Sequence, residues 1–482
     1  MKQLAQIERE DLVMFINACL SCTGQGEFYD EYSYSYGQKV SIDFLHEYIL
    51  GNYRRLYCLT LAAGINHFNQ AQIVIKLLAS GKSIDASGSF RTLENQLITA
   101  TLDRLTPQRA WGLLLQLRKQ GINNRRARSI AQAYIDSRGD KLAFQAVKYR
   151  SKLRAIVAHF HLKLEPELND FLFGRWQHSF STQLFEQFRQ ASYSASALYQ
   201  LPFTVAEGLA VKHHIPRQLF LEKIQAQMTA GEKLRLQDSA IKAGTLLTID
   251  PHRLSLTKLA LYILSLDVQV RRDRQVELTS WLERSASNTL RQIPLRLGRV
   301  AAILDRSYSS SGSREKRRRP LGIALAINAL LRQAATAYQA FWTVPTDEPL
   351  LVTPRGQTNL VTPLLDALDW QPQTIVIISD GWENDPPGAV AELLRVYYGK
   401  LDPQRQISIV HCNPVFNAND YELKQLSPLI PTIGIREAED LPTILAFTRF
   451  VDGRGSLGEL EAYLTDRATD ILVDRQPITT PR

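Results

Sequence analysis

The chain has 482 residues, 45% of them apolar, and a net charge of +9. This length predicts two or three domains, and the basic balance permits an acidic partner such as RNA. No segment reaches 18 apolar residues and the start, MKQLAQIERED, does not read as a signal peptide, so we expect a cytoplasmic protein without membrane spans. Four cysteines are too few for a disulfide framework, and Cys19 and Cys22 form a lone CxxC pair for which zinc or redox chemistry is the minor interpretation.

The first part of the chain, to about residue 290, reads as helical. The first 35 residues, with the stretch YDEYSYSYGQ, look partly irregular. From about residue 40, segments such as FLHEYIL, AQIVIKLLASG and AWGLLLQLRKQG carry apolar residues three and four apart, and Gly, Pro, Asn or Asp separates them. This succession predicts a helical repeat array over residues 1–290, either a HEAT-like ring or a solenoid, although the repeat has no strict period.

After about residue 290 the pattern changes to strands that alternate with helices. The short apolar runs RVAAILD, AFWTV, TIVIISD, QISIVHC and TIGIR predict strands. Between them, PLGIALAINALLRQAATAYQ, LVTPLLDALDW and GAVAELLRVYYGKL predict helices. Such alternation indicates a doubly wound parallel sheet that is covered on both faces. We expect this domain to span residues 295–450, and a C-terminal tail, residues 451–482, to pack back on the helical domain.

Two of these strands end on carboxylates. Asp305 begins an Asp-x-Ser-x-Ser motif with Ser307 and Ser309, Thr358 lies in the polar loop RGQTNL, and Asp380 ends TIVIISD. Ligands of parallel sheets bind at the carboxyl ends of the strands, and hard oxygen donors suit Mg²⁺ or Mn²⁺. A strand-end aspartate can also simply cap the next helix. The order of the five residues favours a metal site. In that site we expect Asp305 to bind the cation directly or through its waters, the three hydroxyls to bind it, and Asp380 to act mostly through water. An acidic group of a partner would fill the open coordination position.

With this motif, residues 295–450 resemble a von Willebrand factor A domain with an intact metal-ion-dependent adhesion site. The resemblance implies a ligand-binding site and not an enzyme active site. His411 and Cys412 end the QISIVHC strand, and we interpret both as core or strand-end residues rather than catalytic ones.

A segment of the helical part, residues 125–161, resembles the TROVE module of the Ro ribonucleoprotein family. The matching residues are Arg126, Ala127, Ala131, Ala133 and Tyr134, then Lys148, Tyr149 and Arg150, then His159 or His161. LPFTVAEGLAVKHHI, from Leu201, is similar to a later helix of the family. A TROVE ring followed by a von Willebrand A domain is the family's architecture. It implies a ribonucleoprotein component that binds small Y-like or misfolded RNA, with RNA ends passing through the ring and Y-type RNA on its outer face.

The charge distribution favours RNA by itself. Between Arg104 and Arg154 stand thirteen basic residues and two acidic ones, a balance of +11, which would attract a phosphate backbone. The candidate RNA-binding residues are Arg125, Arg126, Arg128, Lys148, Tyr149, Arg150, Lys152, Arg154, His159 and His161. If residues 148–161 form one helix, Arg150, Arg154 and His161 share a face. A solvated helical surface is the plainer interpretation of the same charges.

A second basic run, REKRRRP at 314–320, follows the metal motif. It is either a solvated loop before a helix that begins at Pro320, or a lip that draws an acidic ligand to the metal.

The predicted function is that of a monomeric, non-enzymatic RNA-binding protein, with an exonuclease or other protein as a further partner. The alternative is a protein-interaction scaffold whose metal site grips an acidic residue of a partner such as a chelatase-type ATPase.

Overall fold

A computed structural model describes residues 2–27, 35–81, 88–245, 247–251, 254–292, 295–419 and 421–473. The chain divides into two compact units. The sheet unit joins Met1–Asn69 to Leu254–Asp470, and the helical unit comprises Gln70–Arg253 with the end of the chain from Ile471. Among the described residues, no helix is both long enough and apolar enough to cross a membrane.

Helices make up the chain before the sheet. In chain order they are α1 (Lys2–Ser21), α2 (Ser35–Asn52), α3 (Arg54–Leu59), α4 (His67–Ala79), α5 (Gly88–Arg104), α6 (Pro107–Lys119), α7 (Arg125–Asp136), α8 (Lys141–Lys148), α9 (Arg150–Phe160), α10 (Pro166–Phe173), α11 (Gln183–Ala191), α12 (Phe203–Lys212), α13 (Arg217–Ile224), α14 (Ala230–Lys242), α15 (Leu256–Ser265), α16 (Val268–Asp273) and α17 (Gln275–Gln292). The start of the chain is partly irregular, as expected, since residues 22–27 lie outside helices and strands. Residues 2–21 before them form α1, in which Leu12, Phe15 and Ile16 recur at helical spacing and are fully buried. Residues 28–34 of the YDEYSYSYGQ stretch lie outside the described residues.

Strands and helices then alternate. Their order is β1 (Leu297–Leu304), α18 (Arg319–Ala334), β2 (Ala335–Trp342), α19 (Val361–Asp369), β3 (Thr374–Ile378), α20 (Ala389–Lys400), β4 (Ser408–Asn413), β5 (Thr432–Gly434), α21 (Leu441–Val451) and α22 (Leu457–Val473). The strands form one parallel sheet in the order β2-β1-β3-β4-β5. The prediction of a helical region followed by a parallel sheet with intervening helices is confirmed.

Helices cover both faces of the central strands. Ala301 and Ile303 of β1 pack in a core that includes Leu364 of α19 and Leu394 of α20. Side chains alternate between the two faces of a strand, and α18 packs against β1 and β3. Residues 300–304 are therefore all buried, which explains the unbroken apolar run in the sequence.

One predicted helix is too long. The sequence predicts a helix over residues 320–339, but α18 ends at Ala334 and the last five of these residues begin β2. β2 lies at the edge of the sheet and most of its side chains are half-buried or exposed, so it lacks the apolar run that marks an inner strand. Alanine and glutamine favour helices, and the pairing of Ala335 with Leu297 of β1 overrides that local preference.

The division into units differs from the predicted boundary near residue 290, because the start of the chain packs with the sheet. The Asn17 side chain donates to the carbonyl of Thr432 (2.6 Å) and accepts from the N–H of Gly434 (2.7 Å). A Cβ on Gly434 would lie 2.5 Å from the carbonyl oxygen of Asn17, so only glycine allows α1 to approach β5 this closely. Residues 1–69 and 254–290 thus belong with the sheet in one compact unit.

The described part of the predicted tail forms α22. Its Leu460 and Leu464 are fully buried, and Glu461 accepts a hydrogen bond from Arg55 of α3 at 2.8 Å. The tail therefore contacts the N-terminal segment within the sheet unit. Residues 474–482 lie outside the described residues.

A buried ion pair also ties the start of the chain to the sheet region. Lys316 donates to Glu27, and both side chains are at most 4% exposed. Replacing Glu27 with Ala should destabilise the protein by about 3 kcal/mol in urea unfolding, since a buried ammonium is left without its counter-charge. The control Glu392→Ala breaks the exposed pair with Arg395 and should leave the unfolding midpoint unchanged. Equal effects of the two substitutions would contradict this role of the buried pair.

Candidate metal centre and basic surface

The two strand-end carboxylates lie side by side. β1 and β3 are parallel neighbours in which Leu304 is paired with Ile378, so both strands end at the same edge of the sheet. The N–H of Asp305 donates to the carbonyl of Ile378 at 3.0 Å, and Asp380 follows two residues later. Both side chains are buried, with 4% and 3% exposure.

This pair is electrostatically costly by itself. Burial, and secondly the charge of Asp380, raise the pKa of Asp305 to about 7. Burial also raises the pKa of Asp380, and a hydrogen bond from Ser309 opposes the rise. Oδ2 of Asp380 is buried and has no hydrogen-bond partner among the described residues. Two buried carboxylates, one of which has an oxygen without a hydrogen-bond partner among the described residues, form a site that favours a bound cation.

Hydroxyl groups surround the carboxylates. The N–H of Ser307 donates to Oδ1 of Asp305 at 2.7 Å, which fixes the turn after β1. The hydroxyls of Ser307 and Ser309 lie 3.1 Å apart. The hydroxyl of Thr343, just after β2, donates to Oδ1 of Asp305 at 3.3 Å. Sequence reasoning missed Thr343, although its place at the end of the strand next to β1 could have indicated it.

The loop that carries Thr358 is bonded to both carboxylate loops. The N–H of Tyr308 donates to the carbonyl of Gly356 at 3.0 Å on the Asp305 side. On the Asp380 side, the N–H of Thr358 donates to the Asn384 side chain at 2.8 Å, and its carbonyl accepts from the N–H of Asn384 at 3.3 Å. Thr358 is 3% exposed. The structure therefore brings the loops of all five predicted metal residues together at one edge of the sheet.

Asn413 and a glycine hold the Asp380 loop in place. The Asn413 amide, at the end of β4, donates to the carbonyls of Asp380 (2.9 Å) and Lys424 (3.0 Å). Gly381 has φ +80°, and a Cβ there would lie 2.4 Å from the carbonyl oxygen of Lys424. Only glycine fits this position, because it must both turn and pass close to another backbone. Asn413 is a supporting residue that the sequence analysis did not single out.

The donor set fits a hard divalent cation. Among the described residues, no three His, Cys, Asp or Glu side chains are grouped to hold a metal. The candidate set has two carboxylates, of Asp305 and Asp380, and otherwise hydroxyl oxygens, with no nitrogen or sulfur. Mg²⁺ and Mn²⁺ accept such oxygen ligands together with waters, whereas structural zinc sites favour histidine and cysteine.

Several candidate RNA-binding residues have partners inside the helical unit. Arg126 forms an ion pair with Glu94 at 2.6 Å, and Lys148 with Glu232 at 3.2 Å. Nε2 of His159 lies 2.9 Å from the carbonyl oxygen of Ile122. These contacts join separate segments of the helical unit, so they give the side chains a structural role whether or not RNA binds.

The same holds for Arg150. Its guanidinium donates to the carbonyls of Phe171 (3.2 Å) and Leu172 (3.0 Å) at the end of α10, and it lies 4.6 Å from the ring centre of Trp176. Cationic side chains at a helix C-terminus satisfy carbonyls that have no partner within the helix. Arg150 is therefore anchored to α10.

The expected face shared by Arg150, Arg154 and His161 required residues 148–161 to form one helix, and they do not. α8 ends at Lys148 and α9 begins at Arg150, so the segment is not one helix. His161 is the left-handed residue that terminates α9, with φ 53°. Among the remaining candidates, Arg125, Arg128, Arg154 and His161 are exposed, while Tyr149 and Lys152 are half-buried.

Exposed cations collect where three helices end. Asn123, in the α6–α7 loop, donates to the carbonyl of His159 at 2.7 Å and accepts from Nε of Arg128 at 2.7 Å. Gln132 of α7 donates to the carbonyl of Lys163 at 3.0 Å. These bonds place the end of α6, the start of α7 and the end of α9 together. The exposed basic residues of this basic end surface are Arg118, Lys119, Arg125, Arg128 and Lys163.

The second basic run is mostly internal. Lys316 is paired with Glu27, Arg318 donates to the carbonyl of Leu264, and Arg319 donates to the carbonyl of Pro414 at 2.6 Å. The interpretation of this run as a solvated loop is therefore wrong, and α18 begins at Arg319, one residue before the predicted Pro320. The exposed members are Arg314 and Arg317.

Cys19 and Cys22 are both buried free thiols in the sheet unit. Burial raises the pKa of Cys22 to about 12, and its sulfur donates to the side chain of Gln38 at 3.2 Å. Since metal binding and disulfide exchange need the thiolate, this environment favours a core role.

Compared with known proteins, the chain matches no protein-family model, and no curated protein is significantly similar to it.

Proposed function

We propose that the sheet unit is a ligand-binding module of the von Willebrand factor A type. In this proposal Asp305, Ser307, Ser309, Thr358 and Asp380 hold Mg²⁺ or Mn²⁺, and a partner supplies an acidic group to the cation. The observation that carries the proposal is the buried Asp305–Asp380 pair, with the pKa of Asp305 raised to about 7 and one oxygen of Asp380 without a hydrogen-bond partner in the described part of the chain. A divalent cation offsets this charge and leaves coordination positions for an oxyanion.

Binding, and not catalysis, is the better account of the surroundings. His411, on the neighbouring strand, is fully buried between the hydroxyl of Thr432 (3.1 Å) and the carbonyl of Ser379 (3.1 Å). Burial lowers its pKa to about 4, so it is poorly suited to carry protons near neutral pH. Cys412 is also buried, and burial raises its pKa to about 12. Both side chains are better explained as core residues of β4.

A calorimetric titration with Mn²⁺ tests the proposal. Wild-type protein should bind one Mn²⁺, and Asp305→Ala should bind none while keeping the wild-type circular dichroism spectrum, because the side chain lies in a loop after β1. Asp366→Ala, which removes an exposed carboxylate of α19, is the matched control and should bind as wild type does. Equal Mn²⁺ binding by wild type and Asp305→Ala would rule out this site.

RNA binding by the helical unit is a second candidate function, and the basic end surface favours it. We propose that this surface contacts phosphates of small structured or misfolded RNA, as the resemblance of residues 125–161 to the TROVE module of the Ro family implies. The exposed arginine and lysine side chains that collect there suit a phosphate backbone. A scaffold role, in which the metal site grips an acidic residue of an ATPase of the chelatase type, remains the alternative use of the sheet unit.

A further inference from the structure

Two large aromatic side chains stand in solvent beside the candidate metal centre. Tyr308 is 76% exposed and Trp382 is 48% exposed. We call them the aromatic rim. The nearby residues Ser307, Ser310 and Asp380 are at most 3% exposed, so both exposed rings are attached to chain that borders the buried centre.

The backbone under the aromatic rim is fixed. The N–H of Tyr308 donates to the carbonyl of Gly356 at 3.0 Å, and the Ser310 hydroxyl donates to the carbonyl of Ser307 at 2.7 Å. The N–H of Trp382 donates to Oδ1 of Asp380 at 3.0 Å. Rings that a rigid backbone holds in water lose little freedom on binding, and aromatic side chains are favoured as anchors in interfaces.

Both rings also belong to the metal loops themselves. Tyr308 stands between Ser307 and Ser309, and Trp382 is two residues after Asp380. Both rings are therefore carried by the loops that a group must approach to reach the cation. Such a group can bury apolar surface there in addition to its contact with the cation.

The charges near the rim favour an isolated carboxylate over a polyanion. The ammonium of Lys424 lies 4.8 Å from the ring centre of Trp382, and Arg355 is exposed on the Thr358 loop. Asp385, however, is exposed on the same loop as Trp382. A chain of phosphates would meet this like charge, whereas a peptide with a single acidic residue can avoid it.

We infer that the partner offers an aspartate or glutamate flanked by apolar side chains, with the acid at the cation and the apolar groups on Tyr308 and Trp382. This inference rests on the proposed cation site. The aromatic rim thereby sets the specificity of the site, while the five metal residues supply its cation dependence.

The test uses full-length protein, Mn²⁺ and three capped pentapeptides in calorimetry. The peptides have glutamate flanked by leucines, glutamate flanked by glycines, or glutamine flanked by leucines. With Mn²⁺, the leucine-flanked glutamate should bind about tenfold more tightly than the glycine-flanked one, and the glutamine peptide should not bind measurably. Tyr308→Ala combined with Trp382→Ala should remove the tenfold difference and keep Mn²⁺ binding. Tyr193→Ala, which removes a 77% exposed tyrosine of the helical unit, is the control and should change nothing.

The outcomes separate the two proposals. Failure of Mn²⁺ itself to bind overturns the cation site and the inference with it. Mn²⁺ binding with equal affinity for the two glutamate peptides, or with no affinity for either, overturns the inference alone. A uridine oligonucleotide that binds with Mn²⁺ and loses affinity in the rim variant, while the peptides do not bind, would assign the rim to nucleic acid instead.

Discussion

Replacing Asp305 with Asn should stabilise the cation-free protein and abolish its response to Mg²⁺. In EDTA at pH 8 we expect a gain on the order of 2 kcal/mol in the free energy of unfolding, because the substitution removes one of two neighbouring buried charges. Asparagine keeps an oxygen that can accept the hydrogen bonds that Ser307 and Thr343 now donate. Destabilisation of this variant in EDTA would contradict our account of the pair.

The pH dependence follows from the raised pKa of Asp305. In the folded protein its pKa is about 7, above the value of about 3.9 in an unfolded chain. Ionisation of the buried carboxyl therefore lowers the free energy of unfolding. This loss of stability is absent below about pH 4 and is complete once the pH has risen past about 7. Wild type and Asp305→Asn should differ most at pH 8, and their difference in unfolding free energy should shrink toward acid pH.

Added cation should reverse the order of stability. At a free Mg²⁺ concentration 100 times the dissociation constant, wild type should gain about 2.7 kcal/mol, and Asp305→Asn should gain nothing. The control is Asp402→Asn, since both oxygens of this buried carboxylate already accept N–H groups, from Gln406 (2.8 Å) and Ile407 (3.1 Å). That variant should lose stability with and without Mg²⁺ and keep the response to the cation.

Removing charge from the basic end surface should flatten the salt dependence of RNA binding. Replacing Arg118, Arg125 and Lys163 together with Ala should make the negative slope of log K against log salt shallower by about 2 to 3, because each lost phosphate contact contributes about 0.7 to 0.9. Filter binding at several salt concentrations measures this slope. The Asp305→Asn variant should bind RNA as wild type does, since its site serves another ligand.

A variant with the same loss of charge elsewhere is the control. Lys233, Arg235 and Lys242 lie on α14, which Lys148 contacts through Glu232 near the start of α9. α9 has 11 residues, so its other end, at the basic end surface, is about 16 Å away. Their triple replacement with Ala should leave the slope nearly unchanged. Equal slopes for both triple variants would rule out the basic end surface as the RNA contact, and no RNA binding by wild type at low salt would remove RNA binding as a candidate function.

The alternating pattern after residue 290 predicted the strands of the sheet well, because inner parallel strands are buried on both faces and show as unbroken apolar runs such as RVAAILD and TIVIISD. The same rule placed Asp305 and Asp380 at one edge. It did not predict the start of β2, because this edge strand begins with an alanine-rich segment that lacks the unbroken apolar run of an inner strand. Thr343 and Asn413 were missed because nothing in their local sequence separates them from other polar residues at strand ends.

Contacts between side chains that are far apart in the chain could not be predicted from the sequence. Charge alone did not distinguish Arg125, which is exposed, from Arg126, which pairs with Glu94, because the two are adjacent and chemically identical. Likewise, Lys316 read as part of a solvated run, although Glu27, 289 positions away, is its buried partner. The packing of α1 against β5 through Asn17 is another contact of this kind. It accounts for the difference between the predicted boundary and the compact units.

The central claim is that the Asp305–Asp380 pair holds a divalent cation, and a crystal structure of the protein grown with Mn²⁺ tests it most directly. An anomalous difference map should show one Mn²⁺ peak among the oxygens of Asp305, Ser307, Ser309, Thr358 and Asp380, and no peak there in crystals of Asp305→Ala. A map with no Mn²⁺ peak at these residues in wild-type crystals, or with the peak retained in Asp305→Ala, would contradict the claim.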